Sequence, residues 1–188
     1  MKRSYPLLRL AVGTAAIVAG QAANADTGGT VTFSGSISSN SCKLRISGTQ
    51  QTAGTVTLAK AGLTNLTASG ATTGLTPVTL GLSGCTTAGA ASPATAYFLL
   101  SSASVTGAGY IANTASGGAT GVALQLTDSS GGTTYSLGTS DASIGPALVL
   151  GSAGTAADTV FGIRYIATQA APVAGTVSGT LTANFSYN

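Results

Sequence analysis

The sequence predicts an all-β fold, a sandwich or a barrel, and three observations carry that reading. After residue 26 the chain is a succession of short apolar–polar alternations of period two, which is how strands with one buried face read. Between them stand clusters of Gly, Ser, Thr, Asn and Asp, residues that turn a chain cheaply. No 3.6-residue apolar stripe runs long enough to argue for a helix.

Residues 1–25 read as a secretion signal. Lys2, Arg3 and Arg9 form a basic start, residues 10–19 are largely apolar, and Ala23-Asn24-Ala25 supplies the small residues that a signal peptidase prefers. The apolar run is too short for a stable membrane insertion, and nothing later approaches about 18 continuous apolar residues. An exported chain is expected, with residues 26–40 as an N-terminal extension and 41–188 as one domain.

The first strand falls in 30–37, TVTFSGSI. Its alternate residues Val31, Phe33, Gly35 and Ile37 make an apolar row with one glycine gap, while Thr30, Thr32, Ser34 and Ser36 are polar. Such a row is made to be buried, in its own fold or in another molecule. Further strands are expected at 41–46 (SCKLRI), 54–58 (GTVTL), 77–82 (PVTLGL) and 95–101 (TAYFLLS). Four more follow at 121–127 (GVALQLT), 146–150 (PALVL), 158–168 (DTVFGIRYIAT) and 176–187 (TVSGTLTANFSY).

Asp128-Ser129-Ser130-Gly131-Gly132 separates 122–126 from 135–137 and marks a hairpin. Residues 61–74 lack periodicity and read as a surface loop.

Charge and chemistry narrow the function. Lys43, Arg45, Lys60 and Arg164 balance Asp26, Asp128, Asp141 and Asp158, so no basic patch offers itself to nucleic acid. A near-neutral surface rich in Thr, Ser and Gly resists association poorly, which suits a protein that stacks. There is no histidine and no glutamate, so acid–base and nucleophilic catalysis lack their usual partners. No catalytic residue, cofactor or metal site is expected, since neither a calcium-loop spacing nor a His/Cys cluster is present. In an exported chain Cys42 and Cys85 are expected to form a disulfide, worth roughly 4 kcal/mol on the chain-entropy model. Two glycosylation patterns, at Asn65 and Asn184, are short enough to arise by chance.

The inward row of 176–187 is Val177, Gly179, Leu181, Ala183, Phe185 and Tyr187. Only Asn188 follows it, so its outer edge is a template for another chain unless a local strand covers it. At this point the residues resemble the pilin subunits of chaperone–usher fimbriae, of the type 1 major-subunit kind. The resemblance rests on the signal, the row ending in GSI before Cys42, and Cys85 closing a Val-Thr-Leu-Gly-Leu strand. It rests also on residues 161–168, a glycine at 175 and the penultimate Tyr187.

That resemblance implies an incomplete immunoglobulin-like β-sandwich that lacks its last strand and is completed by a donor strand. It implies Val31, Phe33, Gly35 and Ile37 as the donor row. Val177, Gly179, Leu181, Ala183, Phe185 and Tyr187 would form the acceptor groove and chaperone contact. The implied partners are neighbouring pilin subunits in a homopolymer, a periplasmic chaperone and an outer-membrane usher, with export through the periplasm to the cell surface. One feature departs from the pattern: upstream of Val31 the row continues as Gly29 and Thr27, so a strong apolar anchor at its leading end is missing. A minor adaptor pilin, or a secreted monomeric carbohydrate-binding sandwich, are the alternatives; the second lacks any tryptophan to stack on a sugar.

Overall fold

The computed structural model describes residues 27–34, 42–51, 53–84, 95–150 and 156–187. The signal, Gly35, Ile37 and Cys85 lie outside these. The strands are β1 (Thr27–Ser34), β2 (Lys43–Ile46), β3 (Thr49–Gln50), β4 (Ala53–Ala61), β5 (Thr72–Ser83), β6 (Thr95–Ser101) and β7 (Ile111–Ala112). They continue as β8 (Val122–Asp128), β9 (Thr134–Tyr135), β10 (Ala142–Ser143), β11 (Leu148–Val149), β12 (Ala157–Ala167) and β13 (Val177–Tyr187).

They form two sheets. One has the order β10-β6-β13-β1-β4, with β11 also on β6; the other runs β3-β2-β5-β12-β8-β7, with β9 on β8. The inner faces meet in a core that contains Leu80, Leu82, Phe98, Leu100, Ile111, Leu124, Leu126, Phe161 and Ile163. Phe161 takes Phe98 and Tyr135 edge-on, at centroid distances of 6.1 and 6.0 Å. The all-β sandwich expected from the alternations is what the chain forms.

Most elements fall where period two placed them. Thr95–Ser101 has the expected bounds, and the 128–132 turn joins β8 to β9 with Leu126 opposite Tyr135. Asp128 holds that turn, its carboxylate accepting from Ser130 Oγ at 2.8 Å, Gly132 N at 2.9 Å and Thr133 N at 3.1 Å. The expected 146–150 strand is shorter, reduced to Leu148–Val149. Residues 61–74 are more than a loop: a single 3-10 turn at Leu63–Asn65 seats Leu66 in the core, and from Thr72 the chain is already β5.

Cys42 is disulfide-bonded. On the outer face of the second sheet Arg45 Nη1 meets both carboxylate oxygens of Asp158, at 2.9 and 3.0 Å.

The β13 groove as candidate functional site

β13 is the strand around which the candidate site is built, and its two edges are treated differently. Residues 182–187 pair antiparallel with β6, and residues 177–182 pair with β1 on the other side. β1 in turn pairs antiparallel with the edge strand β4. Thus the outer edge of β13, which the sequence left without a partner, is covered by a strand of the same chain. β1 runs parallel to β13, with Gly29 opposite Val177, Val31 opposite Gly179 and Phe33 opposite Leu181; every other strand pair described is antiparallel.

The row of β1 faces inward as its period predicts. Val31 and Phe33 are fully buried, and Thr32 between them is exposed. Opposite, Val177, Gly179, Leu181 and Ala183 are buried, whereas Phe185 is only partly so. The structure therefore brings together Val31, Phe33, Val177, Gly179 and Leu181. Ala183 and Phe185 continue the same row of β13 beyond the part of it that the described residues of β1 cover. Gly35 and Ile37 lie outside the described residues, as does the side chain of Tyr187.

Four residues that the sequence did not single out shape this groove. Ile111 of β7 and Leu124 of β8 floor it at Gly179. Asn113 ties down the first half of β13: its Oδ1 accepts from Ser178 N at 2.9 Å, and its Nδ2 donates to Thr176 O at 3.1 Å and Ala119 O at 2.8 Å. Tyr165 crosses from β12 to β1, entering at a register shift between Ile163 and Tyr165 in the β12–β5 pair. Burial pushes the Tyr165 hydroxyl above its ordinary pKa, and the N–H of Gly29 works against that shift. Even so, the buried oxygen has no well-formed hydrogen bond.

The site is an apolar, strand-shaped slot with alternate side-chain seats and backbone groups along both sides. Among the described residues no cluster of three His, Cys, Asp or Glu side chains could hold a metal ion, and no helix is long and apolar enough to cross a membrane. β1 is held there by main-chain pairing on both edges and by the alternation of its side chains.

The chain is an all-β sandwich of two sheets, immunoglobulin-like in class, whose last strand is flanked by its N-terminal segment. The family model for fimbrial proteins matches residues 31–188, and the chain belongs to that family. Among solved structures it is similar to the Burkholderia pseudomallei antigen and type I fimbria protein BPSL1626, at 32% identity over 86% of this chain and 94% of that one, with a TM-score of 0.44. It is also similar to the CupB6 tip adhesin from Pseudomonas aeruginosa, at 16% identity over 65% of this chain and 36% of the adhesin, with a TM-score of 0.44. No curated protein matches the sequence.

Proposed function

We infer that this fimbrial protein is a structural subunit of a surface fimbria that polymerises by donor-strand exchange and so supports cell adhesion. The strand carrying Val31, Phe33, Gly35 and Ile37 of one subunit would fill the groove of the next, beside Val177, Gly179, Leu181, Ala183, Phe185 and Tyr187. The supporting observation is that the groove is completed by β1, a strand from the start of the described chain, bonded on both edges to β4 and β13. A slot that reads only backbone and alternate side chains accepts the same segment from its own chain or from a neighbour.

Magnitudes fit a durable joint. Burying Val31 and Phe33 stabilises the seated strand by about 3–6 kcal/mol, and each ladder hydrogen bond adds about 0.5–1.5 kcal/mol. The partners this implies are neighbouring subunits, a periplasmic chaperone that occupies the groove before assembly, and an outer-membrane usher where exchange occurs. Residues 26–40 would be the exchanged extension, 41–188 the receiving domain and 1–25 the export signal.

The seating of β1 in its own groove also favours a self-completed monomer, in which the strand never leaves. Deletion of residues 26–37 separates the two. A donor subunit so shortened joins filaments only at an end, and co-expression with the full chain shortens them. Filaments of normal length made from the deletion alone would contradict the donor role.

A further inference from the structure

The leading end of the β1 row, where an apolar anchor is missing, is occupied by Gly29, and there is a steric reason for glycine. A Cβ on Gly29 would stand 2.5 Å from Tyr165 Oη, 3.0 Å from Tyr165 Cε1 and 3.1 Å from Leu58 Cδ1. The ring is closely held: on its other edge it packs so near the Gly74 backbone that a Cβ there would stand 2.8 Å from Cδ2, and Tyr165 is 1% exposed in a close-packed interior. The hydroxyl that creates the tightest contact is itself buried without a well-formed hydrogen bond, so it is held there at a cost to the fold.

We propose that Tyr165 determines which strand the groove accepts and in which register, because only a glycine can stand beside its hydroxyl. The occupant is the β1 segment of this chain, its own or that of a second copy, and this inference rests on the donor-strand reading. The register follows from the sequence of the row. A slip of two residues keeps the apolar face inward but carries Thr27 or Val31 onto the hydroxyl. A slip of one turns Thr30 and Thr32 into the core. With Gly29 beside the hydroxyl, Val31 and Phe33 fall beside Gly179 and Leu181, as they do in this chain. Tyr165 thus acts where alternation alone would leave the register degenerate.

The test uses the full chain carrying Gly29→Val, whose own strand is barred from the groove. It is refolded with labelled peptides of residues 27–34 bearing Gly or Ala at position 29, and retained peptide is counted after gel filtration. The glycine peptide is expected to be retained about tenfold or more over the alanine peptide. Adding Tyr165→Phe, which removes only the hydroxyl and its tightest contact, should lower that ratio severalfold while capture of the glycine peptide persists. If the Gly29→Val chain does not fold alone, soluble yield in the presence of each peptide reports the same ratio.

Equal retention of the two peptides, or a ratio unmoved by Tyr165→Phe, overturns the role of Tyr165 and leaves the donor-strand reading standing. Failure to capture even the glycine peptide removes both.

Discussion

Val31 faces Gly179 across the β1–β13 pair, and the side chain that Gly179 lacks is what lets Ile111 and Leu124 rise from the opposite sheet to floor that position. A Cβ there would meet Ile111 Cγ2 at 2.5 Å and Leu124 Cδ1 at 3.2 Å. Gly179→Ala is therefore an overpacking change, expected to destabilise by about 1–3 kcal/mol in urea unfolding. Thr180→Ala, on the exposed face of the same strand, should stay within about 0.5 kcal/mol. Equal effects would mean that the row is misplaced.

Charge in the groove should act according to depth. Leu181 is fully buried beside Phe33, whereas Phe185 is partly exposed farther along β13. Leu181→Asp places an unpaired carboxylate in the core and should abolish accumulation of folded protein. Phe185→Asp should be the milder of the two, leaving a fraction of folded subunit measurable by circular dichroism. The reverse order would contradict the assigned face.

Tyr165→Phe should raise stability by about 1 kcal/mol, because it removes a buried oxygen that lacks a well-formed hydrogen bond. The alkaline side gives an independent check. The folded pKa of Tyr165 lies above the ordinary 10.0, so the unfolded chain ionises this hydroxyl first, and stability that is intact below that value is lost as pH rises past it. Urea midpoints measured from pH 8 to pH 11 should fall more steeply for the native chain than for the Phe variant.

Asp128 supplies the acid-side counterpart. The bond from the Ser130 hydroxyl does most to lower its pKa, partial desolvation opposes it, and the Thr133 and Gly132 donors add to the lowering, from 3.8 to about 2. An unfolded Asp128 protonates first, so the turn's contribution is intact above about pH 4 and is lost as pH falls toward about 2. The gap in melting temperature between the native chain and Asp128→Asn should therefore narrow between pH 4 and pH 2. A constant gap would show that the charge is not what holds the turn.

What could be read from the sequence follows from what is local. Strands such as 95–101 and 121–127 announce themselves because alternation and flanking turn residues lie in the same few positions. The inward rows of β1 and β13 were legible for the same reason. That β1 would lie beside β13 in its own chain was not, because pairing between the first and last strands leaves no mark in either one.

In the sequence Tyr165 is simply part of the 158–168 strand. Its meaning appears only when the ring crosses the sandwich and meets Gly29. Asn113 stood in a stretch without period, and its bonds to Ser178 and Thr176 join residues far apart in sequence. Leu66 sits in a segment whose single 3-10 turn is too short to show periodicity.

The most direct test of the central claim, that the groove strand of each subunit comes from its neighbour in the filament, is a gel of sheared surface material run in detergent with and without boiling. The account predicts a ladder of oligomers in the unheated lane that collapses to monomer on boiling and is abolished by deletion of residues 26–37. Monomer alone in the unheated lane, or a ladder that survives the deletion, would contradict it.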